Sequence, residues 1–145
     1  MKHYKVGYTQ GCFDMFHIGH LNLINNAKKY CDYLVVGINS DKLMETYKHK
    51  LPVINEKERK EIVENIKAVD RAYIVETLDK TVHYKRFNYE VLFIGSDWKG
   101  NSRWIYTEKT LNEYGVDVIY LPYTNGISST LLKSEKINKV DDFHD

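Results

Sequence analysis

Cysteine is scarce in this chain, and charge of neither sign is in surplus. The two cysteines, at positions 12 and 31, form no Cys-x-x-Cys pair, which argues against a thiolate metal site and suits free thiols in a reducing compartment. A formal charge of +1 leaves no basic excess for nucleic acid and no acidic tract for a solvating tail, so any anion site has to be built locally. No apolar run approaches the roughly 18 residues of a membrane span. The longest are fragments such as Tyr33-Leu34-Val35-Val36-Gly37-Ile38, and no signal-like apolar leader stands at the start. The expectation is a cytoplasmic protein with no membrane insertion and no nucleic-acid partner.

What is present suffices for one packed interior: 43% of the 145 residues are hydrophobic, and nothing suggests a second core. Short β-branched or aromatic runs at 4–9, 32–39, 70–75, 91–95 and 116–121 read as strands. Helical spacing joins Leu21, Leu23, Ile24 and Ala27. A short helix capped by Ser40 or Asp41 is expected to run through Met44, with 47–52 as a loop. Asn55 opens a helix with Ile62, Val63 and Ile66 on its apolar face and Lys57, Arg59, Lys60, Glu61 and Lys67 outward. Further helices are expected over 78–87, 104–114 and from 128 to about 135. Strands alternating with helices specify an α/β fold: a Rossmann-like, doubly wound five-stranded parallel sheet of order 3-2-1-4-5 with helices on both faces. One domain is expected over 1–135, followed by a polar C-terminal tail over 136–145.

The most informative stretch is Gly11-Cys12-Phe13-Asp14-Met15-Phe16-His17-Ile18-Gly19-His20, a strand-to-helix turn where ligands bind in open parallel sheets. His17 and His20 are three residues apart, so on a first helical turn they share a face. Free backbone N–H groups at such a helix start favour anions. Two imidazole donors there suit a phosphate whose charge grows as bonds are made and broken. Zinc is less suited, because a helical zinc pair usually takes i, i+4 spacing and a third ligand. A plain helix cap with two surface histidines is the alternative.

These residues resemble the His-x-Gly-His signature of the nucleotidylyltransferase superfamily, specifically its cytidylyltransferase branch, with the glycerol-3-phosphate cytidylyltransferases nearest. The resemblance runs from Tyr4 to about Glu135. It implies transfer of CMP from CTP, carried with Mg2+, to a phospho-alcohol such as glycerol 3-phosphate, giving CDP-glycerol and pyrophosphate, by a homodimer. On composition alone Lys48 and Lys50 belong to a solvated loop; the resemblance matches them to a Lys-x-Lys pair for substrate phosphate. It likewise turns Arg59 inward to nucleotide phosphates, as a catalytic residue beside His17, His20 and Lys48. Gly95-Ser96-Asp97-Trp98 is similar to the family's Gly-Asp-Asp-Trp turn, so Asp97 and Trp98 would line the nucleotide site with Gly11, Cys12, Phe13 and Asp14.

The segment from Pro122 to Thr130 resembles Arg-Thr-Glu-Gly-Ile-Ser-Thr-Thr, which adds Thr124, Ile127, Ser128, Ser129 and Thr130 to that site. Here Tyr123 replaces the arginine, Asn125 the glutamate and Ser129 a threonine. Either Arg103 or a lysine supplies the lost charge, or the acceptor is not glycerol phosphate. A phosphate monoester is already an anionic nucleophile, so the absence of a base-and-nucleophile pair fits this chemistry. An adenylyltransferase of the same superfamily and a non-catalytic nucleotide-binding module are the rival readings.

Overall fold

The computed structural model describes residues 2–122. Tyr123, Thr124, Ile127, Ser128, Ser129, Thr130, the expected last helix and the boundary of the tail lie outside the described residues. Within them, strands β1 (Tyr4–Gly11), β2 (Cys31–Asn39), β3 (Arg71–Val75), β4 (Val91–Gly95) and β5 (Asp117–Leu121) alternate with helices α1 (Ile18–Lys28), α2 (Asp41–Lys48), α3 (Glu56–Glu64), α4 (Lys80–Phe87) and α5 (Ser102–Glu113). A single 3-10 turn, Ser96–Trp98, precedes α5. The strands form one sheet of order β3-β2-β1-β4-β5, and every pairing is parallel. This is the doubly wound order the alternating pattern implies.

Alternation along the strands explains why both faces are covered. Leu34, Val36 and Ile38 of β2 join Val91 and Phe93 of β4 in a core with Ile24 and Ala27 of α1 and Val63 of α3. The intervening residues Val35, Leu92 and Ile94 pack with Trp104 and Leu111 of α5, and with Tyr84 and Phe87 of α4. A period of two thus sends neighbouring residues to opposite layers. Side chains cap the helix starts: Ser40 takes Leu43 N at 3.0 Å, Asn55 takes Glu58 N at 3.0 Å, and Asn101 takes Arg103 N at 3.0 Å. Caps of this kind contribute about 1 kcal/mol each.

Two local expectations are corrected. Helix α2 continues through Tyr47 and Lys48, so the loop begins at His49, whose left-handed φ of 59° ends the helix. In α3 the outward and inward assignments of two residues exchange: Arg59 is buried at 1% exposure while Ile62 is 41% exposed. The guanidinium goes inward because four acceptors wait there, as described below.

Because β1 lies between β2 and β4, the turns after these three strands gather at one sheet end, where the winding direction reverses. A buried polar network fixes that end. Gln10 accepts from Tyr8 Oη at 2.8 Å and donates to Asn39 Oδ1 at 2.8 Å and to Thr77 O at 3.1 Å. Satisfied networks of this kind hold a unique arrangement, since an unpaired buried polar group is costly.

Candidate active site

The turn after β1 is tightly constrained. Phe13 and Met15 both adopt left-handed backbone, with φ of 53° and 50°, a conformation that costs a non-glycine residue energy unless its surroundings hold it. Asp14 lies between them, fully buried. Its carboxylate accepts from Val53 N at 2.8 Å and Ile54 N at 2.9 Å, charge-assisted bonds that latch the loop before α3 onto the turn. Gly11, Cys12 and Phe13 are buried as well, and Cys12 and Phe13 retain only 1% and 4% exposure.

His17 caps α1, and its Nδ1 accepts from Gly19 N at 3.0 Å. The backbone N–H of His17 in turn donates to Nδ1 of His20 at 3.2 Å. The two residues form a reciprocal capping box, with His20 at the third helical position. An imidazole whose Nδ1 accepts a hydrogen bond carries its proton on Nε2 when neutral. In the neutral rings Nε2 is then the donor atom; that of His17 is enclosed, and His20 retains 4% exposure. They stack with centroids 3.9 Å apart and planes at 23°, and Phe13 meets His20 edge-on at 5.4 Å. The expectation that free amides at this helix start would hold an anion is revised: the amides of Gly19 and His20 are taken by the His17 ring, so donation passes to the imidazoles.

Arg59 does not take the position expected of a phosphate ligand. Its side chain is 0% exposed. Nε donates to Ile54 O at 2.8 Å, Nη1 to Cys12 O and Asn39 O, each at 2.8 Å, and Nη2 to Asp41 Oδ1 at 2.6 Å. One planar fork thus ties the turn after β1, the end of β2, the start of α2 and the loop before α3. The physical reason is local: three carbonyl oxygens at strand and loop ends need donors, and burial leaves no water to supply them.

A second cluster lies on the turns after β2 and β4. Lys48 closes α2, half-buried, and Lys50 follows His49, exposed. Lys48 Nζ sits 5.0 Å from the Tyr47 ring centroid. Arg103, on the first turn of α5, donates to Tyr47 Oη at 3.2 Å and lies 5.5 Å from the Trp98 ring. Asp97 is exposed and Trp98 half-buried; the enclosed indole Nε1 of Trp98 has no hydrogen-bond partner among the described residues. A side chain on Gly95 would meet Asp97 Oδ1 at 2.7 Å, so glycine there lets Asp97 fold over the strand end. Sequence reasoning missed Tyr47, Gln10 and Asn39. Tyr47 was legible as helical only by extending α2 one turn past Met44.

Residues 8–135 match the family described as Cytidylyltransferase-like. The chain is 35% identical over 128 residues to glycerol-3-phosphate cytidylyltransferase from Bacillus spizizenii, covering 88% of this chain and 93% of that protein. It is 34% identical over 129 residues to bifunctional protein HldE from Hyphomonas neptunium, covering 88% of this chain and 26% of that protein. The chain therefore spans about a quarter of the length of HldE. Among solved structures, the lipopolysaccharide core biosynthesis protein from Thermoplasma volcanium has a TM-score of 0.68 at 24% identity, covering 83% of this chain and 97% of that one. Pantothenate synthetase from Thermus thermophilus has a TM-score of 0.63 at 16% identity, covering 88% of this chain and 61% of that one. At these identities the likeness is one of fold.

Proposed function

The chain belongs to the cytidylyltransferase-like family of nucleotidyltransferases, and from that membership we propose that it transfers CMP from CTP to a phospho-alcohol, with glycerol 3-phosphate as the favoured acceptor. One observation carries the mechanism: the capping box that leaves the Nε2 atoms of His17 and His20 as paired donors at the carboxyl end of β1. The substrate choice is supported by relatives of near-equal length that bear the glycerol-3-phosphate cytidylyltransferase name.

In the proposed reaction an acceptor phosphate oxygen attacks the α-phosphorus of CTP. A P–O bond forms there, the bond from the α-phosphorus to the bridging oxygen breaks, and pyrophosphate leaves with the electron pair. The nucleophile is already an anion, so the protein has to align two anions and stabilise charge on the non-bridging oxygens. His17 and His20 donate to those oxygens from fixed rings, which cost no reorganisation during the step. Lys48 and Lys50 offset the charge of the incoming phosphate. Asp97 and Trp98 line the nucleotide side; Thr124, Ile127, Ser128, Ser129 and Thr130, outside the described residues, belong to the same proposal by resemblance to the family segment.

Asp14 and Arg59 hold the turn rather than the substrate. Mg2+ bound to CTP would offset the charge of the triphosphate, a role the family membership supports. Homodimerisation and a cytoplasmic location belong to the same proposal. No helix of the described residues is long and apolar enough to cross a membrane.

A panel of CTP, ATP, GTP and UTP with glycerol 3-phosphate, scored for pyrophosphate, tests this reading. Release with CTP well above the others is expected. Equal release with ATP turns the assignment to an adenylyltransferase, and nucleotide binding without release to a non-catalytic module.

A further inference from the structure

We propose that His83 is a positioning residue for the turn that carries His17 and His20, and that its protonation loosens helix α4 from the sheet end and lowers turnover; the turnover half rests on the nucleotidyl-transfer reading above. His83 lies on α4, retains 3% exposure and takes no part in the reaction drawn above. Its Nε2 is 2.8 Å from the carbonyl oxygen of Thr77. A carbonyl only accepts, so the neutral ring carries its proton on Nε2 and donates there. Nδ1 is enclosed and has no hydrogen-bond partner among the described residues. A second proton has to go on that nitrogen, where burial offers it no acceptor.

The Thr77 carbonyl ties the ring to the catalytic turn. It also accepts from Gln10 Nε2 at 3.1 Å, and the same nitrogen donates to Asn39 Oδ1 at 2.8 Å. The carbonyl oxygens of Asn39 and Cys12 then share Arg59 Nη1, each at 2.8 Å, so one line of hydrogen bonds runs from His83 to the turn after β1. Tyr8 Oη donates to Gln10 Oε1 at 2.8 Å and so fixes which end of the amide faces Thr77. Gly37 makes room for that hydroxyl, which a Cβ there would strike.

The surroundings disfavour an imidazolium. Tyr8 of β1 faces the ring at 5.8 Å and Phe87 of α4 at 6.2 Å. Burial keeps the Tyr8 hydroxyl neutral, pushing its pKa well above the ordinary value of 10.0; Tyr89 stacks on Tyr8 at 4.8 Å and donates to Lys80 O at 2.7 Å. Two cations lie near: Lys80, whose Nζ donates to Leu78 O at 2.8 Å and sits 5.1 Å from the Trp104 ring of α5, and Arg86, which covers Tyr73 of β3 and Phe87. The nearby anion is Asp79, which caps α4 and accepts from Thr81 Oγ1 at 2.6 Å. Burial foremost, aided by Lys80 and Arg86, holds the ring below the ordinary value of 6.5, against the pull of the Thr77 carbonyl and Asp79. The unfolded chain therefore binds this proton first, so the grip on α4 is complete above the ordinary value and weakens as pH falls below it.

Ring NMR titration, amide exchange and initial rates between about pH 8 and about pH 5 test this on wild type, His83→Gln and His83→Phe. Glutamine keeps a donor in place of Nε2 and does not titrate; phenylalanine keeps a ring and loses the donor. Wild-type His83 should titrate below 6.5, a measurement that needs no variant to fold. At about pH 5 the α4 amides of wild type should exchange about threefold or more faster than those of His83→Gln, with equal rates at about pH 8. With CTP and glycerol 3-phosphate, kcat of wild type should fall about threefold or more beyond that of His83→Gln over the same range, with KM alike. His83→Phe should be slower at every pH, with no added loss in acid. Ionisation of the substrates is common to all three proteins and cancels in the comparison. A ring that titrates at or above the ordinary value, or α4 exchange indifferent to His83, overturns the grip; identical kcat profiles overturn its link to the catalytic turn. If no nucleotidyl product forms with any acceptor, the reading of function falls and takes the turnover half with it, while titration and exchange still decide the grip on α4.

Discussion

Nη1 of Arg59 donates to the carbonyl oxygen of Cys12 at 2.8 Å, so helix α3 holds the turn that carries His17 and His20. Replacing Arg59 with Ala strips donors from three carbonyl oxygens, those of Cys12, Asn39 and Ile54. At about 1 kcal/mol each the loss is roughly 3 kcal/mol. Urea unfolding should show it, and turnover should fall with it even under conditions where the variant is fully folded. Full activity in a destabilised variant would separate Arg59 from the geometry of the turn.

Asp14→Asn tests the latch on the neighbouring loop. The amide oxygen replaces one carboxylate oxygen, but the amide nitrogen repels a second N–H, so one of the Val53 and Ile54 amides loses its acceptor. A cost of about 1–3 kcal/mol is expected. Hydrogen exchange at those two amides should accelerate well beyond the rest of the chain; protection equal to wild type would show that the latch does not hold the loop.

His17→Asn separates capping from chemistry. Asparagine is as good an N-cap as any residue, so unfolding midpoints should stay near wild type, while loss of the Nε2 donor should lower turnover by about two orders of magnitude or more. A fall of only a few-fold would confine His17 to its cap.

The sheet order was readable because hydrophobic runs and helical spacing alternate along the chain, and Leu34-Val35-Val36 declares a strand buried on both faces. The histidine pair was readable from its three-residue spacing. Its tautomer was not, because that depends on which backbone amides the rings accept. Arg59 read as outward on helical spacing and as a phosphate ligand by resemblance. Its partners, the carbonyls of Cys12 and Asn39, are 47 and 20 residues away, and no periodicity reports such contacts. Tyr47 escaped for a similar reason: its partner Arg103 is 56 residues distant.

Stability at acid pH should depend on Asp70. Burial pushes its carboxyl up, but the Lys28 ammonium at 2.6 Å and the Leu34 amide at 2.8 Å more than reverse this, leaving it below the ordinary value of 3.8. A carboxyl depressed in the folded state stabilises the fold above its unfolded value, and that contribution is lost as pH falls through the folded one. Wild type should therefore exceed Asp70→Asn in urea midpoint at about pH 6, with the difference shrinking below about pH 4. A difference that stays constant well below that range would contradict the depressed carboxyl.

Identifying the product tests the central claim most directly. Wild-type protein incubated with CTP, Mg2+ and glycerol 3-phosphate should yield CDP-glycerol and pyrophosphate in equal amounts, with ATP in place of CTP giving far less nucleotidyl product. Absence of CDP-glycerol, with no CDP product from any other polyol phosphate, would contradict it.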